Sequence, residues 1–271
     1  MCIVILQFKP TGSHPLILSA NRDEYFSRPS AMGHVWKENS IIAGKDLQGG
    51  GTWLGTTFSG RFAAITNFPA YKQLLSAQTV SRGTLVTEFL SGLLSPEDYA
   101  SKVSKDKENY EGFNLIIGDR QSLFYITNAR PEVEELKPGI YSLSNHFLDY
   151  TCRRSLNAAI KFSQIPKPNI TTDLLIDTMQ DNSELEDSNP VLQTNSCNQE
   201  DSGIPSSIFM KATSIKNKGA ASHYGTVSTT ALIIRKNGDI TFCEDRYKKN
   251  GKTKDRSMVK IENSGSTKIN F

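Results

Sequence analysis

Cysteine and histidine are scarce in the 271 residues, four of each, and neither falls into a ligand spacing. Cys2, Cys152, Cys197 and Cys243 are scattered without a CxxC pair, which excludes a zinc knuckle and a disulfide scaffold and leaves reduced thiols as the simplest reading. No metal is expected. His14, His34, His146 and His223 have no second titratable residue tied to them by spacing, so no catalytic dyad is forced. Long hydrophobic runs are missing too. Residues 1–8 are apolar but lack a basic lead, and Lys9 and Pro10 end the run well short of a signal-peptide core or a membrane span. The chain therefore reads as soluble, cytoplasmic and not transmembrane. Thirty-one Lys and Arg against 28 Asp and Glu leave +3, too little to draw the whole protein onto nucleic acid or an anionic membrane. No internal repeat or low-complexity segment is evident, and 37% hydrophobic content suits one large domain over residues 1–271.

What is present is a succession of short elements. Residues 2–8, 15–20, 52–57 and 61–67 carry strand signals between turn residues. Residues 84–94 show helical spacing, and Ser95-Pro96-Glu97 opens a second helix with proline in its first turn. Strands follow at 113–118, 123–127 and 140–144, then helices at 153–162 and 172–179. Residues 180–203 are polar and acidic and read as a loop. The strands 224–234 and 240–243 flank Lys236-Asn237-Gly238-Asp239, where Asn-Gly predicts a tight hairpin because both residues tolerate positive φ. From about residue 246 the chain turns basic and polar, which predicts a solvated tail rather than a nucleic-acid contact. This order suits an α+β fold with two layers of antiparallel sheet covered by helices on either side.

Cys2 follows the initiator Met, so removal of Met1 would leave a thiol beside its own α-amine. That amine, of ordinary pKa about 7.7–8.0, can take the thiol proton. Cys2 also suits a small buried hydrophobe opening an apolar strand. Asn21-Arg22-Asp23-Glu24 comes directly after an apolar strand, where a charge-assisted network can polarise a nucleophile, or where a surface ion-pair turn can form. Asn67 and Asn145 end strands, from which amides can donate to an oxyanion or cap a turn. Gly49-Gly50-Gly51 precedes Thr52-Trp53-Leu54-Gly55 without the Gly-Lys-Ser/Thr ending of a phosphate loop, so turn and packing roles are expected.

Taken in order, Met1-Cys2-Ile3, Asn21 to Glu24, Arg28-Pro29, Gly50 to Gly55, Thr66-Asn67, Gly112 to Leu115, Leu143-Ser144-Asn145 and Tyr224-Gly225-Thr226 resemble the NRDE family, the transport and Golgi organisation protein family. A more distant similarity is to the Cys-type N-terminal-nucleophile hydrolases. The resemblance implies a four-layer αββα sandwich, with Cys2, Arg22, Asp23, Asn67 and Asn145 as site residues. It implies two functions. One is a carrier or chaperone of a hydrophobic anionic metabolite such as haem or acyl-CoA, working at Golgi, ER or mitochondrial surfaces. The other is an amidohydrolase with Cys2 as nucleophile. No cofactor is required, haem would be cargo, and His146 and His223 are its candidate axial ligands. Two departures stand out. Val227 occupies the position where relatives commonly carry arginine, and Tyr150-Thr151-Cys152 replaces a Pro-Trp segment.

Overall fold

The computed structural model describes residues 2–70, 80–149, 152–184, 207–217, 220–263 and 266–270. In chain order the strands are β1 (Ile3–Phe8), β2 (Leu16–Tyr25), β3 (Ser30–Trp36), β4 (Ile41–Asp46), β5 (Leu54–Thr57) and β6 (Phe62–Asn67). Helices α1 (Gly83–Ser91) and α2 (Pro96–Asp106) follow, then β7 (Phe113–Gly118), β8 (Leu123–Thr127), β9 (Glu134–Glu135) and β10 (Gly139–Leu143). Helices α3 (Arg153–Gln164) and α4 (Thr172–Met179) precede β11 (Thr213–Asn217), β12 (Ala220–Ile234), β13 (Ile240–Tyr247), β14 (Thr253–Ile261) and β15 (Thr267–Asn270). The first sheet runs β10-β1-β2-β12-β13-β14-β15 with β11 also on β12, and the second is the meander β3 to β9. The fold is mixed α and β, and strand-rich.

A period of two along each strand divides its side chains between two cores. Val4, Leu6, Leu16 and Leu18 point from the first sheet toward Ile42, Phe62, Ala64 and Ile116 of the second. Their neighbours Ile3, Ile5 and Ile17 pack instead with Phe162, Leu175 and Ile176 of α3 and α4. On the second sheet Ala63, Ile65, Leu115 and Ile117 pack under Phe89, Tyr99 and Val103 of α1 and α2. Ser95 caps α2 as its sequence predicts, accepting the Asp98 N–H at 3.0 Å. Among the described residues no helix is long and apolar enough to cross a membrane.

Several expectations are corrected. Strand β2 does not stop at residue 20 but continues through Asn21 to Tyr25, because β12 supplies ladder partners that far. The basic segment after 246 is no tail. Ser257, Val259 and Ile261 face inward along β14 while Lys254, Arg256 and Lys260 stay outside, so charge on one face obscures a strand period. Strands β3 and β4 were not expected at all. The hairpin at 236–239 forms, with Arg235 N–H on the Asp239 carbonyl at 2.8 Å, but only Gly238 takes positive φ. Gln180 closes α4, and 185–203 of the expected polar loop lies outside the described residues.

Edge strand β3 is clipped to the first sheet by one carboxyl group. The β3–β4 register shifts between Ala31 and His34, and the Gly33 N–H in that interval donates to Glu244 Oε2 at 2.9 Å. A side chain at Gly33 would lie 2.4 Å from the Phe242 ring, so only glycine allows this approach. Burial pushes the Glu244 carboxyl up to about 7, against the lowering influence of Arg246, the Gly33 N–H and the Ser228 hydroxyl. A folded-state pKa above the unfolded one means stability held below pH 4.5 and lost as pH rises toward 7. Glu244→Gln keeps the acceptor and removes the ionisation. Its advantage over the parent in urea denaturation is expected to grow from near zero at pH 4.5 to about 3 kcal/mol above pH 7; parallel stability curves would contradict this.

Candidate functional site

Cys2 is half-buried at the entrance to β1. Ile3 pairs with Asn21 and Val4 with Leu143. Carried past their last paired residues, the two registers set Cys2 opposite Arg22 on one side and Asn145 on the other. Even-numbered positions of β1 and β2 face the second sheet, so this row opens into the end of the inter-sheet space. The Cys2 thiol approaches the Asp23 carbonyl at 3.9 Å. Burial raises its pKa, with the Asp23 carboxylate adding to the rise and the amino-terminal charge and Arg22 opposing it.

Arg22 and Asp23, expected to act together, lie on opposite faces of β2. Arg22 stacks 4.4 Å above Trp53 and reaches Asp46 Oδ2 at 3.4 Å. Asp46 also binds Arg28 Nε at 2.8 Å and accepts the Gln48 and Gly49 N–H groups, folding the glycine turn around itself. Burial pushes its carboxyl up, but the Gly49 N–H and Arg28 outweigh that and hold it below the usual range. Glu24 lies 4.0 Å from Arg22 and 3.8 Å from Arg28. Asp23 turns the other way. Its Oδ2 meets Arg154 Nη1 of α3 at 2.5 Å and its Oδ1 accepts from Thr226 at 2.7 Å, both ions being almost wholly buried. Arg154 Nε and Nη2 donate to the Ile208 carbonyl. One layer along, Asn21 bridges Met179, Ile208 and Thr229. Asp23 is thus bonded into the helix layer.

Asn67 and Asn145 meet across the sheets. Asn145 Nδ2 donates to the Asn67 carbonyl at 2.7 Å, and Thr66 Oγ1 to the Ser144 carbonyl at 2.6 Å. Asn145 is buried, and its Oδ1 has no hydrogen-bond partner among the described residues. Asn67 itself is exposed. His146 follows at the cleft with its carbonyl on Asn114 Nδ2, whereas His223 lies in β12 with its carbonyl on Phe26 N–H. Among the described residues no three His, Cys, Asp or Glu converge as a metal site. Val227 is the extra residue of a bulge in β12, between Thr226 opposite Asp23 and Ser228 opposite Arg22.

One residue was missed. Arg82, just before α1, donates through Nη1 to the Gly112 carbonyl at 3.0 Å and lies 3.3 Å from the Glu111 carboxylate. Burial lowers its pKa, Glu111 raises it, and Arg28, Cys2 and Glu24 are close enough to shift it further. No motif marks it, since its approach depends on chain pairing between residues far apart in sequence.

A family profile described as Transport and Golgi organisation 2 matches residues 1–249. The mouse Transport and Golgi organization 2 homolog is 32% identical over 270 residues, covering 90% of this chain and 92% of its own. The human protein of that name is 32% identical over 269 residues with the same coverage. Among solved structures, a mutant of the conjugated bile acid hydrolase of Clostridium perfringens aligns with TM-score 0.48 and 11% identity, over 100% of this chain and 97% of its own. The Caenorhabditis elegans N-acylethanolamine-hydrolyzing acid amidase ortholog aligns with TM-score 0.46 and 10% identity, over 86% and 92%.

Removing one partner of the buried pair leaves the other charge uncompensated. Asp23→Asn is expected to destabilise the protein by about 3–5 kcal/mol in urea denaturation. Combined with Arg154→Gln it should cost less than the sum of the two single changes. Additive effects would contradict the pairing.

Proposed function

The chain belongs to the Transport and Golgi organisation 2 family, and from that membership and the geometry around Cys2 we propose that it is a carrier of a hydrophobic, anionic metabolite of the haem or acyl-CoA class, serving Golgi and secretory organisation. One observation carries the choice of carrier over hydrolase. An oxyanion needs hydrogen-bond donors, and Asn145 commits one N–H of its amide to the Asn67 carbonyl while its carbonyl oxygen has no partner among the described residues. Burial also raises the pKa of the Cys2 thiol, against the amino-terminal charge and Arg22, which lowers its thiolate fraction. The Arg22 guanidinium over Trp53, with Arg28 sharing its Asp46 partner, instead suits an anionic ligand with an apolar body. The carrier would work in the cytoplasm, at Golgi, ER or mitochondrial surfaces.

We read the two facing sheets with helices on their outer sides as the four-layer αββα arrangement of an N-terminal-nucleophile hydrolase. That supports a second reading, in which loss of Met1 exposes the α-amine of Cys2 between Arg22 and Asn145 and the protein cleaves an amide. Val227 counts against it, since an apolar side chain occupies the bulge position where relatives commonly carry arginine.

Haem and a long-chain acyl-CoA, titrated separately and followed by absorbance and calorimetry, are expected to give at least one saturable low-micromolar site, about −8 kcal/mol, that survives Cys2→Ser. Turnover of a simple N-acyl amide abolished by Cys2→Ser, with neither ligand saturating, would replace the carrier with the amidohydrolase.

A further inference from the structure

Arg82 is held by backbone on two sides. Toward the glycine turn, a side chain at Gly51 would lie 2.6 Å from the Gly83 backbone, and one at Gly49 would lie 3.1 Å from Ser81 Oγ. Residues 81–83 therefore sit flush against the turn that Asp46 organises, the same Asp46 that holds Arg22 and Arg28. On the other side the Gly112 carbonyl accepts both Arg82 Nη1 at 3.0 Å and the Phe68 N–H at 2.8 Å. Phe68 in turn packs on Phe147 with ring centres 4.8 Å apart. Asn67, the neighbour of Phe68, accepts the amide of Asn145, which the β1–β10 register sets opposite Cys2, so Arg82 stands between this end of the sheets and the arginine cluster.

Its present anionic partner is weakly held. Glu111 is 55% exposed, and an exposed ion pair of this kind contributes little because water screens it. The guanidinium itself is largely buried and Arg28 reaches the same Gly49 turn as Ser81, so Arg82 gains from exchanging Glu111 for an anion that brings its own apolar body. We infer that Arg82 recognises the carboxylate of the ligand held at the Cys2 end of the inter-sheet space, exchanging Glu111 for it. This rests on the reading of that space as a ligand site. It makes Arg82 a specificity-determining residue for carboxylate-bearing ligands.

Two alkylating reagents of similar size test it on the full chain, with Cys2 adducts quantified by peptide mass spectrometry. In each the Cys2 sulfur bonds to the methylene carbon, the carbon–iodine bond breaks, iodide leaves with its electron pair and the thiol proton goes to buffer. Iodoacetate carries a carboxylate and iodoacetamide does not, so the ratio of their rates reports a cation at the thiol. Arg82→Gln is expected to lower that ratio by about fivefold or more, the scale of one lost charge-assisted contact, while Arg82→Lys keeps most of it. An unchanged ratio, or equal slowing of both reagents as from a structural disturbance, overturns the role of Arg82 and leaves the ligand site standing. Failure of both reagents to label Cys2 in the unsubstituted folded protein, when they label it after denaturation, overturns the open site and the inference with it.

Discussion

Arg22 and Asp23 are adjacent in sequence and face opposite sides of one sheet, and the rest of the site depends on this period-two constraint. Because β2 stays extended through Tyr25, it delivers a cation into the inter-sheet space and an anion into the helix layer within one residue. Each charge is too buried to stand alone. Asp23 is matched by Arg154, which ties α3 and the Ile208 segment to β2. Arg22 is matched by Asp46 and by the face of Trp53, which ties the glycine turn of the second sheet to the first. The bulge at Val227 keeps β12 in register with both. Four elements that never meet in sequence are fixed by two neighbouring residues.

Much of the fold was legible in local pattern. Helices α3 and α4 and strands β7 and β8 carry apolar positions at clear spacing and fall where that spacing predicts. Ser95-Pro96 announces α2 because a cap and an N1 proline act within one turn. Strands β3 and β4 escaped because half-buried residues, Gly33, Gly44 and Lys45 interrupt their alternation. Strand β14 escaped because its outward charges dominate its composition. The site was legible only as a set of residues. Cys2, Arg22 and Asn145 fall in one row and Asn67 meets Asn145 through its backbone carbonyl, but the division of Arg22 from Asp23, the bond that Asn145 makes and the approach of Arg82 are products of pairing between distant strands. The Asp23–Arg154 pair alone spans 131 residues.

The chemistry of the cleft end follows from which polar groups are already engaged. Of the candidate site groups, the Asn145 amide is bonded to the Asn67 backbone carbonyl and the Asp23 carboxylate to Arg154. At the Cys2 end stand the thiol, the bare amide oxygen of Asn145, the Trp53 ring and the Arg22 guanidinium paired with Asp46. On the proposed carrier reading, such a lining would hold an amphipathic anion. Glu244, set deeper between the sheets with its carboxyl near neutrality, marks how thoroughly water is excluded behind this end.

Amide hydrogen exchange, recorded with and without bound long-chain acyl-CoA or haem, tests most directly whether this end of the inter-sheet space is where the protein holds its ligand. Slowed exchange is expected in residues 2–4 and 22–28 along β1 and β2, in 144–147 beyond β10 and in 81–84 at the start of α1, all at once. Protection confined to the outer faces of α3 and α4, or to the opposite end around the β1–β2 turn, would contradict it.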